Sequence, residues 1–228
     1  MGSYLRYRTL VLLLIAAALG TGCNILALPF FLLPGMDPKY DAPCKLASDD
    51  KDKEVNVVIL ASTELETRPE FLKVDRELSL LLCSQLEAGF KKNKEKVKLV
   101  KISKIEKYKD DHPNWHAMDA QEIGKYFRAD YVINLEVNSL TLYEPGSVNT
   151  LFRGRADITI DVVDVHKPSE GPIYKDEYTV EYPKTKGPIS ADSSNVNQFR
   201  QLFLKRVAKE LSWRFTSHLV EDDHACDD

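Results

Sequence analysis

Histidine and aspartate gather at one place in this chain. His112 and His116 stand four residues apart in the stretch DDHPNWHAMD, with Asp110, Asp111 and Asp119 beside them. Imidazole and carboxylate are the ligands zinc and related cations prefer, so this segment has the most ligand character in the sequence. The spacing argues against a site. Pro113 rules out an ordinary helix that would aim both imidazoles the same way, and no cysteine is near. A structural loop anchored by Trp115 is the simpler reading. A second row of carboxylates, Asp157, Asp161 and Asp164, lies in an alternating run. Strand geometry puts Asp157 and Asp161 on one face and Asp164 off parity, whereas an acid/base pair needs groups converging from separate elements. Glu221-Asp222-Asp223-His224 reads as a solvated acidic tail. There is no G-x-S-x-G, no P-loop and no G-x-G-x-x-G. The sequence therefore assigns no catalytic residue, no metal ligand and no cofactor, and reads as a non-enzyme.

The remaining chemistry belongs to Cys23. Behind Arg6 and Arg8 runs TLVLLLIAAALGTGC, Thr9 to Cys23, an uncharged apolar core of export-signal length. It closes on Leu19-Gly20-Thr21-Gly22-Cys23, which resembles the lipobox of bacterial lipoproteins, although Gly20 stands where that box prefers Leu, Val or Ile. The resemblance implies that the Cys23 thiol receives a diacylglyceryl group, that residues 1–22 are removed as a signal peptide, and that palmitate-type acyl chains hold the mature chain to a membrane. Two readings stay open beside it. The uncharged run up to Gly35 is long enough for a transmembrane helix, which Gly20, Gly22, Pro29 and Pro34 disfavour. A cleaved signal with a free product leaves the apolar stretch 24–34 unexplained.

Loss of 22 from 228 residues leaves 206, enough for one domain and a tether. The net charge of −4 becomes −6 without Arg6 and Arg8, which excludes nucleic acid as an expected partner. Beyond Cys23 there are Cys44, Cys83 and Cys226. Cys44 and Cys226 flank the periodic segments, so a disulfide tying the two ends and a set of free thiols fit equally well. Cys83 sits inside a helical pattern as a buried thiol.

The organisation expected is an acylated apolar arm and linker over 23–53, a periplasmic domain over 54–219 and an acidic tail over 220–228. EVNVVILAS, Glu54 to Ser62, reads as a strand covered on both faces. Thr67-Arg68-Pro69-Glu70 fits a capping box opening a helix from Arg68 to Lys92. Val97 to Ser103 reads as a shorter strand amid lysines from Lys91 to Lys109, a strip that suits either anionic lipid or polymer, or simply a solvated edge strand and helix end; the lack of interleaved aromatics and the presence of Glu95 and Glu106 favour the latter. Ser103 to Glu106 is a second capping-box match, and Asp119 with Glu122 caps a helix to Phe127. In Tyr131 to Tyr143 the apolar parity shifts at Asn138-Ser139, which predicts a β-bulge. Leu151 to Val165 and Ile173 to Tyr182 complete a meander, and an amphipathic helix over Val196 to Leu219 closes the domain.

The result is a β-α-β-α-β-β-β-α single domain of α/β (mixed α+β) class, with helices on a mixed sheet and both early helices expected on one face. This order, with the phrase Gly124-Lys125-Tyr126-Phe127-Arg128-Ala129-Asp130-Tyr131-Val132-Ile133, resembles the periplasmic α/β domains of the curli-secretion lipoprotein, the penicillin-binding-protein activator lipoproteins and the amino-terminal domain of the Tol propeller protein. The resemblance implies a lipid-anchored, non-enzymatic module of the cell envelope that binds a protein partner in the periplasm. The Tyr143 to Leu151 turn and the meander edge are its expected contact surfaces. Asn24 after the cysteine lacks the aspartate linked to inner-membrane retention, which points to the outer membrane. A subunit of an oligomeric secretion channel is the alternative, and a metal-dependent enzyme at His112 and His116 a more distant one.

Overall fold

The computed structural model describes residues 39–50, 52–63, 71–167 and 171–219. Two short strands at its ends pair with each other, β1 (Lys39–Tyr40) against β8 (His218–Leu219). Between them run β2 (Val55–Thr63), α1 (Val74–Asn93), β3 (Val97–Leu99), α2 (Ile102–Asp111), α3 (Ala120–Phe127), β4 (Tyr131–Tyr143), β5 (Leu151–Asp164), β6 (Pro172–Tyr182), β7 (Ile189–Ser190) and α4 (Val196–Ser212). The main sheet has the order β3-β2-β4-β5-β6, with β7 added on β5. β2 is parallel to both β3 and β4, while β4, β5 and β6 form an antiparallel meander. Helices on a mixed sheet in one α/β domain are therefore what the chain builds.

The continuous apolar run of β2 has the cause expected of it. Val57, Ile59 and Ala61 enter one core and Val58 and Leu60 another, and all five are at most 2% exposed. The first core lies under α1 and α4. Leu78, Leu82, Leu86 and Phe90 recur every four residues on α1, facing Phe199, Phe203, Val207 and Leu211 on α4, so each helix gives the sheet one apolar stripe. The Phe152 and Phe199 rings stack at 4.9 Å, and Gly154 leaves room for Phe203. The second core is smaller, with Ile102, Ile105 and Tyr108 of α2, Ile123 of α3, Trp115, Val132 and Val165.

The early helices thus lie on opposite faces, not on one. From β2 the chain steps outward to β3, then crosses back over β2 to β4. Two right-handed crossovers in opposite directions must cover opposite faces. The same-face expectation assumed strands laid down in chain order.

Several boundaries also differ. α1 begins at Val74 after Lys73, whose left-handed backbone (φ 61°) makes no side-chain cap; Thr67 and Glu70 lie outside the described residues. β3 stops at Leu99, and Ser103 is inside α2, whose N-cap is Lys101, so the second capping box is not used. The Asp119 cap is formed: its carboxylate accepts from the Gln121 amide at 2.9 Å. The β4 bulge is present between Val137 and Ser139. α4 ends at Ser212, and Thr216 donates to the Ser212 carbonyl at 2.9 Å as the chain turns into β8. Upstream of β2, Cys44 and Leu46 are buried in the first core, and the Cys44 amide donates to the Arg214 carbonyl at 2.9 Å.

The Ala129-Asp130 turn between α3 and β4 ties three strands together. Ala129 is buried, and the Asp130 amide donates to the Asn56 carbonyl at 2.7 Å. The Asp130 carboxylate accepts from the Asn56 amide at 2.8 Å and meets His166 at 3.1 Å beyond the end of β5. This is the local chemistry behind the phrase singled out in the sequence.

Candidate functional site

β2 and β4 are parallel neighbours from which the crossovers diverge, the position where open α/β sheets form a crevice at their carboxyl ends. Thr63 ends β2 opposite Val137, but β4 runs on to Tyr143, so the crevice is walled on one side by strand. The space there is about 300 Å³, lined by Ser62, Thr63, Asn134, Glu136, Trp115 and His116. The Ser62 hydroxyl reaches the Leu135 carbonyl at 3.5 Å and that of Thr63 the Val137 carbonyl at 3.3 Å, so each points at a strand carbonyl rather than at a base. The cleft offers amide, carboxylate and hydroxyl groups beside a tilted indole–imidazole pair, which suits recognition of a polar group.

Trp115 is the anchor expected of it. It is buried in the second core, and the Lys109 ammonium lies 4.7 Å from its ring centroid. Lys109 itself is no solvated strip lysine: its side chain is 9% exposed, donates to the Ala61 carbonyl at 2.8 Å and pairs with Glu106 at 3.1 Å. The His116 ring lies tilted against Trp115 at 3.7 Å, whereas His112 stacks on Tyr108 at 4.2 Å and places Nδ1 2.9 Å from the Tyr108 carbonyl. The two imidazoles are committed to different rings, and the described residues contain no group of three metal-ligating side chains.

Beyond the cleft the same sheet face has no helix over it among the described residues and is polar. Asn134 opposes Asp161, Glu136 opposes Thr159, and Thr141 opposes Arg155, while β6 adds Lys175, Glu177, Thr179 and Glu181. Asp157 accepts from the Thr179 hydroxyl at 2.7 Å and lies 4.0 Å from Arg155. Asp161 has an oxygen out of solvent with no hydrogen-bond partner among the described residues. Asp164 caps the turn after β5 by accepting from the His166 amide at 2.9 Å. The three aspartates share a strand and do not converge. Glu136, Ser62 and Asn134 were not singled out from the sequence, although the polar parity of β4 carried the signal.

Cys23, Cys226 and the tail 221–228 lie outside the described residues. Cys44 and Cys83 are free thiols, the first buried and the second half-buried. Burial pushes Cys44 up to about 11 and, helped by Glu87, Cys83 up to about 12. Both stay protonated at neutral pH and are poor nucleophiles. No helix of the described residues is long and apolar enough to cross a membrane.

No family model matches the chain, and no curated protein matches it. Among solved structures, a PelC dodecamer from Paraburkholderia phytofirmans is 12% identical over 78% of this chain and 96% of its own, with a TM-score of 0.43. Lipoprotein GNA1162 from Neisseria meningitidis is 10% identical over 69% and 98%, with a TM-score of 0.43. The LpoB C-terminal domain from Salmonella enterica is 14% identical over 58% and 87%, with a TM-score of 0.29. Bacterial lipoproteins are thus among the structures similar to this chain.

Proposed function

We propose that the chain is a lipoprotein of the bacterial cell envelope, held through acylated Cys23, whose α/β domain docks a protein partner in the periplasm and catalyses no reaction. The outer membrane is the proposed anchor site. The observation that carries this reading is the edge strand β6. It runs for eleven residues, and among the described residues nothing pairs with its outer side. An edge of that length is a template for an incoming strand, and natural proteins usually blunt one with bulges, prolines or short length. Here Pro172 and a register shift before Tyr174 guard one end and Lys175, Glu177 and Glu181 charge the strand, but from Tyr174 to Tyr182 its register is unbroken, and Ile173 is 44% exposed. The 144–150 turn adds a second contact. Val148 at its tip is 91% exposed and left-handed (φ 50°), a conformation that costs a β-branched residue of order 1–3 kcal/mol.

A photo-crosslinking residue placed in turn at Lys175, Glu177 and Val148 tests this in intact cells, with Leu80 on α1 as control. One envelope protein should be captured from the first three positions and not from Leu80. Equal capture from all four, or from none, refutes the docking surface. Mass spectrometry of the mature amino terminus tests the anchor: a chain starting at Cys23 with acyl mass supports it, and one starting at Met1 removes it.

A further inference from the structure

The lysine strip of the sequence holds one aromatic, Tyr108; the fold brings more from elsewhere. Two shallow clefts, about 470 and 370 Å³, adjoin on the outer side of α2 and share Lys104, Phe127 and Arg128. Around them stand Lys98, Lys101 and Lys107, all exposed, with Tyr126, which is 64% exposed and has its ring 4.7 Å from Tyr108. α3 runs back beside α2 and so brings its aromatic carboxyl end among cations that lie about twenty positions away in sequence.

The charges are mostly unneutralised. Lys98 pairs with Glu54 at 3.7 Å and Asp111 lies at the margin, but Lys101, Lys104, Lys107 and Arg128 make no ion pair among the described residues. Edge protection accounts for Lys98 on β3 and not for Lys101, Lys104 and Lys107, which belong to a helix. Lys101 is the N-cap of α2, and the first turn holds no acidic residue. Lys101 and Lys104, at the N-cap and in the first turn, oppose the helix dipole.

The patch also lies at the end of the sheet where the described chain begins. β1 lies beside β8; Ser217, just before β8, accepts at 3.0 Å from Asn93 at the carboxyl end of α1. β3 follows, with Lys98 opposite Asn56, whose carbonyl bonds the turn after Arg128. The sequence before Lys39 carries the uncharged run from Thr9 to Gly35. A tether through that run enters the domain at Lys39.

We infer that Lys98, Lys101, Lys104, Lys107, Arg128 and Tyr126 form a docking surface for the phosphate headgroups of an anionic membrane. The cations meet lipid phosphate, and the amphipathic Tyr126 ring lies at headgroup depth. The domain then rests on its β3 side. β6, four strand spacings away at roughly 4.8 Å each, faces outward. The inference takes from the proposed function only the membrane anchor, not the protein partner.

The test is lysine acetylation footprinting of the full chain reconstituted in vesicles, read by mass spectrometry. In vesicles with 30% phosphatidylglycerol, Lys101, Lys104 and Lys107 should react at least threefold more slowly than in pure phosphatidylcholine. About 0.5 M NaCl should abolish the difference, because screening then acts within a few ångströms. Lys175 on β6 should be unchanged. In a K104E/K107E variant, still folded by circular dichroism, the protection of Lys101 should be lost. Equal rates in the two vesicle types overturn the inference. So does protection that appears only when a soluble anionic polysaccharide is added to neutral vesicles. Flotation separates the two readings: an anchored chain floats with neutral vesicles whatever the footprint, and an unanchored one floats with anionic vesicles only, by this patch.

Discussion

Glu210 is the residue whose removal tests the packing argument most directly. It is 4% exposed on α4, accepts from the Tyr178 hydroxyl of β6 at 2.5 Å and pairs with Arg206, also 4% exposed, one turn earlier. Arg214 continues the group, 4.0 Å over the Tyr178 ring and 3.3 Å from Asp176. Two charges taken out of water gain little net stability as a pair, but breaking a buried pair by removing one partner costs about 3–5 kcal/mol. Glu210→Ala should therefore cost that much, and Tyr178→Phe, which deletes one hydrogen bond to a charged group, about 1.5–3 kcal/mol. A domain of this size loses roughly 2–4 °C in Tm per kcal/mol, so Glu210→Ala should melt about 6–20 °C lower. The double variant Arg206→Met with Glu210→Leu should recover most of the loss, since an apolar pair of similar volume needs no counter-charge. Urea unfolding with an unchanged slope measures all three. A Glu210→Ala loss below about 1 kcal/mol, or a double variant as unstable as the single, would show that α4 and β6 are not joined through this pair.

Three further outcomes follow from other parts of the fold. Asp130→Ala removes the acceptor of the Asn56 amide and should cost about 1.5–3 kcal/mol in urea unfolding, with β4 amides next to the turn exchanging faster. Gly124→Ala would place a methyl 2.8 Å from the Val132 side chain and closer still to Val165, so α3 must shift and stability should fall by about 1–3 kcal/mol despite alanine's better helix propensity. Cys44 and Cys83 should resist iodoacetamide at pH 7 and react only as the pH approaches about 11 and 12 respectively. The sign for stability follows. The folded state holds these protons above the unfolded value of 9.0, so the contribution is full below pH 9 and lost as pH rises through the folded values. A melting temperature flat from pH 9 to 11.5 would contradict it.

What was legible in the sequence was local. β2 announced its two-sided burial by an unbroken β-branched run, Asp119 announced a cap by its type and place, and the parity shift at Asn138 announced a bulge, because each is decided by neighbours within a few residues. The face on which each helix lies was not legible. It depends on whether β4 pairs with β3 or with β2, and no local pattern encodes that choice. The cap at Ser103 shows the reverse error: α2 takes Lys101 as its N-cap despite the better motif two residues on, since Ile102, Ile105 and Tyr108 must face the sheet. The same limit hid the cleft, whose Ser62, Trp115 and Glu136 come from three distant segments, and the aromatics of the basic patch, which arrive from α3.

The pairing of β1 with β8 has a mechanical consequence. Pulling on the chain ahead of Lys39 loads a ladder of two residue pairs first, then the Cys44 amide bond and the Leu46 side chain, and only afterwards β2, which is held on both sides in the large sheet. Residues 39–53, once peeled away, extend to about 50 Å. The protein carries its own slack line, which lengthens under tension by withdrawing Cys44 and Leu46 from the first core before the main sheet is loaded.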